Sequence, residues 1–235
     1  MLELDVDNQD RSTGSFVQRN HIKGLLMNIF FGGIDTSSNI VIWAMAELIR
    51  NPRVMKIAQD EIRNCVRNRE RVTEDDLYQL QYLKLLIKET LRLHPVAPLL
   101  VVREVMSHFK MNEYDIFPKD LIIINAWGIA RDPSYWDKPE EFFPERFIEN
   151  SIDFRGQHFE FLPFGSGRRI CPGINMGLAA VELALANLLY CFNWEAPKGM
   201  ENHDINLDEK GGITLSKKIP LELVPIAYFE SRASV

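Results

Sequence analysis

The feature that decides the fold is a glycine-rich decapeptide, FGSGRRICPG, at residues 164–173. It brings Cys171 to the start of an apolar helix, where free N–H groups and the helix dipole stabilise a thiolate. Gly167 and Gly173 let the backbone approach a flat ligand, and Arg169 supplies a cation for acidic groups on that ligand. A soft thiolate in this setting suits iron, so the decapeptide predicts an iron site.

Other interpretations of the decapeptide are weaker. A dinucleotide fingerprint fails because Ile170 stands where the third glycine is required, and a phosphate-binding loop fails because no Gly-Lys-Ser/Thr ends it. Taken alone, Cys171 would be an inert buried cysteine, which is how Cys65 and Cys191 are interpreted. A cysteine nucleophile for hydrolysis needs a histidine partner. No recognisable catalytic context surrounds any of the five histidines, which are His21, His94, His108, His158 and His203.

Hydrophobic periodicity and the prolines predict the elements around the decapeptide. The predicted helices cover about 21–50, 82–93 and 175–192, and a short helix starts at Asp132-Pro133. The predicted strands are brief and cover 99–105, 109–114, 121–125, 213–215 and 221–224. Residues 137–167 are rich in Pro, Phe and Gly and predict an ordered, irregular segment.

Two side chains of opposite charge stand three residues apart in the second long helix. Glu89 and Arg92 share one face of that helix. Such pairs are usually exposed, where they contribute only a few tenths of a kcal/mol. Here the helix is largely apolar, so the pair would be buried and would need a further partner. Arg146, in the segment PERF at 144–147, could supply that partner.

The first helix contains poor helix formers, GGIDTS, at 32–37. One interpretation is that the hydroxyls bond back to carbonyls one turn earlier. The other is a local opening or kink that presents a carbonyl, a carboxylate and a hydroxyl to a ligand.

Composition excludes several classes of protein. The 235 residues are 46% apolar with a formal charge of −6, which is typical of a packed protein and too acidic to favour nucleic acid. Three cysteines cannot form a disulfide framework. The most apolar stretch, 24–34, is about 11 residues against the roughly 20 that span a bilayer, so we expect no transmembrane segment.

Together these motifs resemble the cytochrome P450 family, and their sequences are most similar to those of its plant microsomal members. The decapeptide fits the family pattern Phe-x-x-Gly-x-Arg-x-Cys-x-Gly. The resemblance implies a mainly α fold with small β-sheets and covers only about the C-terminal half of the usual family chain. Residues 1–235 would form one partial domain, with a polar lead-in at 1–20, a helical haem-binding region at 21–199 and a C-terminal β region at 200–235.

The resemblance also implies a role for each matching residue. Cys171 would be the axial thiolate ligand of haem b, Arg169 and Arg103 would pair with the haem propionates, and Phe164, Gly167 and Gly173 would complete the cofactor-binding loop. Asp35 and Thr36 would relay protons on the distal side, and Gly32 and Gly33 would leave room there for O2. Glu89, Arg92 and Arg146 would form a buried structural triad that supports haem retention.

For the whole protein, the resemblance implies a monooxygenase of plant secondary metabolism. It would insert one oxygen atom of O2 into a lipophilic small molecule, with electrons from NADPH through a cytochrome reductase. Segments near 27–34, 96–102 and 213–215 would line the substrate pocket. Localisation would be the cytosolic face of the endoplasmic reticulum membrane, while this chain lacks the anchor and would be cytosolic if expressed alone. The alternative is a truncated, non-catalytic fragment that cannot retain haem alone.

Overall fold

A computed structural model describes residues 19–67 and 69–229. Its helices are α1 (Arg19–Arg50), α2 (Pro52–Val66), α3 (Gln81–Leu93), α4 (Ala126–Ile129) and α5 (Ile174–Cys191). Short 3₁₀ helices cover Glu74–Gln79, Pro144–Phe147, Gly167–Arg169 and Asn202–Asp204. The three long helices of the sequence prediction are therefore confirmed. Most of the predicted lead-in, at 1–18, lies outside the described residues.

The strands form four antiparallel pairs. They are β1 (Arg103–Glu104), β2 (Phe109–Met111), β3 (Tyr114–Ile116), β4 (Leu121–Ile122), β5 (Phe192–Glu195), β6 (Glu209–Lys210), β7 (Ser216–Lys217) and β8 (Val224–Ala227). Strand β1 pairs with β4, β2 with β3, β5 with β8 and β6 with β7. The expected mainly α fold with small sheets is confirmed.

The core lies where α1, α2, α3 and α5 pack together. Its centre is built from fully buried side chains such as Trp43, Leu48, Ile62, Leu86 and Leu185. Only the C-terminal half of α1 takes part, since its buried residues begin at 39. The N-terminal half of α1 carries large exposed apolar side chains instead, with Phe31 68% exposed. Uncovered apolar faces of this kind occur at binding surfaces and at surfaces prone to aggregation.

Several local predictions were wrong. Asp132-Pro133 forms a turn and no helix, in which the Asp132 carboxylate accepts a hydrogen bond from the Ser134 N–H at 2.8 Å. Residues 213–215 are a loop, because β7 starts at 216, and the last strand runs 224–227 and not 221–224. Strands of two to four residues depend on distant partners, which local patterns do not reveal.

Helices α1 and α5 are both long and apolar enough to cross a membrane, judged by length and composition alone. The sequence estimate counted only the stretch before Asp35, whereas α1 continues as one unbroken helix of 32 residues. The expected absence of a transmembrane segment is therefore not confirmed. Both helices also contribute buried side chains to the core, as any long core helix does.

Candidate functional site

The cysteine loop turns back on itself just before α5. Gly165 and Gly167 have φ of +73° and +70°, a backbone conformation that glycine adopts without strain. The turn lets the Cys171 N–H donate to the Phe164 carbonyl at 3.0 Å. Helix α5 begins at Ile174, so Pro172 precedes the helix and does not lie in its first turn. The Cys171 thiol is free and half-buried.

A glycine lies beside the Cys171 thiol, and the two arginines predicted to bind the ligand have no carboxylate partner among the described residues. A Cβ on Gly173 would lie 3.8 Å from Cys171 Sγ, so glycine there keeps the side of the sulfur open. Arg169 is exposed and Arg103 is half-buried on β1. Within residues 19–67 and 69–229, neither guanidinium forms a salt bridge. Two cations without carboxylate partners can bind an acidic ligand.

Helix α5 crosses α1 close to the GGIDTS segment. A Cβ on Gly177 would lie 3.8 Å from Ser37 Oγ, and the start of α5 therefore lies against the middle of α1. The segment stays helical, contrary to a local opening. Thr36 Oγ1 donates to the Gly32 carbonyl at 2.6 Å and Ser38 Oγ to the Ile34 carbonyl at 2.9 Å. Thr36 thus bonds back by one turn, as the first interpretation expected, and so does Ser38, which directly follows the segment.

Three segments predicted to line a pocket converge beside Asp35. Thr214 Oγ1 donates to Asp35 Oδ2 at 2.5 Å, which joins the loop at 213–215 to α1. The Leu215 N–H donates to the Val96 carbonyl at 2.8 Å, which joins the same loop to 96–102. The side chains at these segments are largely apolar and exposed, and Ile213 is 99% exposed.

The predicted triad is assembled, with Glu89 and Arg92 fully buried and Arg146 partly buried. The Arg92 guanidinium donates to both Glu89 oxygens at 2.9 Å, and Arg146 Nε donates to Glu89 Oε1 at 3.0 Å. The Phe143 N–H adds a fourth bond to Glu89 Oε1 at 2.9 Å. Both Glu89 and Arg92 are 0% exposed. Arg92 also donates to the carbonyls of Ala130, Pro139 and Glu141, and Arg146 to those of Asp137, Lys138 and Glu141.

A family model described as "Cytochrome P450" matches residues 1–223. The chain belongs to the cytochrome P450 family. Cytochrome P450 71B25 of Arabidopsis thaliana is 54% identical over 224 residues, which are 95% of this chain and 44% of that protein. Cytochrome P450 71B16 of the same plant is 58% identical over 207 residues, which are 88% of this chain and 41% of that protein. The chain spans less than half the length of these relatives.

Membership of the cytochrome P450 family implies a haem held by a cysteine thiolate. The described residues fit that group, because they offer a free half-buried thiol and two unpaired guanidiniums. They also offer space, since a Cβ on Gly32 or Gly33 would meet nothing within 4 Å. A hydrolase site fits less well. His94, His108, His158 and His203 each face a carboxylate, at 2.7 to 3.6 Å, and not the thiol.

Sequence reasoning missed a second buried polar cluster, in which His94 lies between two acidic residues. His94 stacks on Trp43 with ring centroids 4.1 Å apart, and its Nε2 lies 2.7 Å from Glu47 Oε1. Glu209 Oε1 lies 3.8 Å from His94 Nδ1 and from Arg131 Nη2. Burial alone would raise the pKa of Glu209, but the donors His94 and Trp127 and the charge on Arg131 hold it below its usual range. The cluster lines a cleft of about 710 Å³.

Proposed function

We propose that this chain is the haem-binding part of a monooxygenase, with Cys171 as the axial ligand of the iron. The observation that carries the proposal is the contact between Ser37 and Gly177. That contact sets the start of α5, which follows the cysteine loop, against the GGIDTS segment of α1. A flat cofactor bound by Cys171 would thus meet the glycines, the acid and the hydroxyls of α1.

Haem, when bound, supplies the iron chemistry that activates O2. The chain's own residues hold it and manage protons. Cys171 provides the thiolate, and Arg103 and Arg169 provide positive charge for the two propionates. Thr36 Oγ1 donates its one proton to Gly32, so the same oxygen is free to accept a hydrogen bond from water. Asp35 stands next to it as the acid that exchanges protons with that water.

The substrate in this proposal is a lipophilic small molecule. Support comes from the exposed apolar side chains of the three converging segments, among them Phe30, Ile34, Val101 and Ile213. Electrons would come from NADPH through a reductase, and the whole protein would act at the cytosolic face of the endoplasmic reticulum membrane. These features follow from family membership and not from any contact in the described residues.

The test is a chimera in which this chain replaces the segment that it matches in cytochrome P450 71B25. The chimera, reconstituted with haem, NADPH and a plant reductase, is given a panel of lipophilic substrates under ¹⁸O2. We expect a product that carries one ¹⁸O atom, detected by mass spectrometry. A chimera that retains haem but forms no oxygenated product from any of the panel would contradict the proposal.

A second candidate function is that of a fragment that cannot retain haem alone. The exposed apolar face of α1 favours it, because uncovered faces of that kind promote aggregation. Haem stoichiometry measured on the 235-residue chain separates the two possibilities. Stable haem at one per chain, with turnover, excludes the fragment. Haem bound only by the chimera supports it.

A further inference from the structure

The hydrogen bond between Thr214 and Asp35 joins parts of the chain that are 179 residues apart. Thr214 belongs to the loop between β6 and β7, and its hydroxyl reaches Asp35 Oδ2 at 2.5 Å. A bond from a hydroxyl to a carboxylate is charge-assisted and stronger than a neutral one. It therefore restrains the otherwise exposed Asp35 side chain.

The loop is firmly anchored on one side of Thr214. The Leu215 carbonyl accepts from Trp43 Nε1 at 3.2 Å, and the Leu215 N–H donates to Val96 at 2.8 Å. Trp43 is itself fixed, because it is fully buried and stacks on His94. The C-terminal side of the loop is thus tied to the core through the two backbone hydrogen bonds of Leu215.

On the other side of Thr214, two glycines separate Ile213 from β6, whose Lys210 pairs with Ser216 of β7. Gly211 and Gly212 are exposed, and Ile213 is 99% exposed. Two glycines in succession allow large changes of the backbone at little steric cost. A lipophilic molecule lying on the apolar face would contact Ile213 and move the part of the loop that carries the Thr214 hydroxyl.

We infer that Thr214 is a positioning residue for Asp35, and that it couples binding on the apolar face of α1 to the position of that acid. The role of the acid rests on the proposed function, whereas the hydrogen bond itself does not. The inference predicts that removing the hydroxyl releases the carboxylate without changing the apolar face of α1. It also predicts that serine, which keeps the hydroxyl, substitutes for threonine.

The first test is a double-mutant cycle on unfolding of the haem-loaded chimera, with Thr214→Val, Asp35→Ala and both together. We expect the pair to couple by about tenfold in the unfolding constant, as for one hydrogen bond to a charged group. Thr214→Ser should retain most of the stability. The matched control is Lys218→Gln, an exposed position that follows β7. Additive effects of Thr214→Val and Asp35→Ala would overturn the inference.

The second test measures how many consumed electrons appear in product and how many in peroxide. We expect Thr214→Val to lower the product fraction about fivefold, with KM for substrate nearly unchanged and Thr214→Ser close to the parent. If the double-mutant cycle shows coupling but Thr214→Val leaves the product fraction unchanged, the hydrogen bond is only structural and the positioning role is overturned. If the parent chimera forms no product, the proposed function fails, and the cycle alone still decides the hydrogen bond.

Discussion

Glu89 shows most clearly how one residue organises the region behind the cysteine loop. Its carboxylate is fully buried and accepts four hydrogen bonds, three from guanidiniums and one from a backbone N–H. A buried charge is tolerated only when every lone pair is satisfied. The carbonyls that Arg92 and Arg146 bind fix the path of 130–141, so the network joins α3 to an otherwise irregular segment.

We predict that Glu89→Gln destabilises the protein and weakens haem retention. The amide keeps one oxygen in place of Glu89 Oε1, but its NH2 group then faces the donor Arg92 Nε, and both guanidiniums lose their counter-charge. Removing one partner of a buried ionic network costs about 3–5 kcal/mol. Urea unfolding and the haem content after gel filtration measure the two effects.

The control for Glu89→Gln is Asp60→Asn, which breaks the exposed pair between Lys56 and Asp60. An exposed pair contributes about 0–1 kcal/mol, so this variant should behave like the parent. Normal haem content in Glu89→Gln together with a collapse of turnover would contradict the structural role and indicate a direct part in the reaction.

At the scale of elements, α1 combines a core half with an exposed half that contains two adjacent glycines. A Cβ on Gly32 or Gly33 would meet nothing within 4 Å, and the helix is unbroken there. Packing among the described residues therefore gives no reason for glycine, and helix propensity opposes it. Room for the cofactor and O2 is the reason that the proposed function offers.

We predict opposite effects of Gly33→Ala on stability and on ligand binding. Alanine should raise the free energy of unfolding by about 1 kcal/mol, because it favours the helix. In the haem-loaded chimera it should also weaken carbon monoxide binding, since the added methyl group would occupy the space beside the iron. Thermal unfolding and a carbon monoxide titration measure the two quantities.

Gly24→Ala is the matched control, because a Cβ there also meets nothing within 4 Å on the same helix. It should stabilise the helix by a similar amount and leave carbon monoxide affinity unchanged. Equal affinities for Gly33→Ala and Gly24→Ala would remove the ligand-binding reason for Gly33.

The elements differ in how far the sequence predicts them. Helices α1, α3 and α5 were predicted to within about two residues, because their apolar periodicity is long and prolines stop two of them. The helix predicted at Asp132 does not form, because Pro139 follows closely. The chain there must also direct the carbonyls of Ala130 and Pro139 toward the Arg92 guanidinium, which donates to both. That demand comes from another element and leaves no local signal.

The candidate site shows the same limit. Spacing within one helix placed Glu89 beside Arg92, and the apolar helix around the pair called for a further partner, which Arg146 could supply, so the triad was predictable. The contact of Thr214 with Asp35 and the cluster of His94 with Glu47 and Glu209 were not predicted, because each joins residues far apart in sequence. The one sequence signal for the His94 cluster is that His94 directly follows the helix that contains Glu89.

At the scale of the whole molecule, the core and the exposed surface occupy opposite ends of α1. The C-terminal half of α1 packs with α2, α3 and α5, whereas the apolar N-terminal half faces outward beside the converging pocket segments. The chain spans 44% of cytochrome P450 71B25. In the proposed function, this bare apolar face would lie on the side of the haem that faces the substrate.

The central claim is that Cys171 holds the haem iron, and one spectrum tests it. The haem-loaded chimera is reduced, treated with carbon monoxide and compared with Cys171→Ser, Cys65→Ser and Cys191→Ser, which share the same change at three free cysteines. We predict that only Cys171→Ser loses the absorption band typical of thiolate ligation, while the other two keep it. An unchanged thiolate band in Cys171→Ser would contradict the claim.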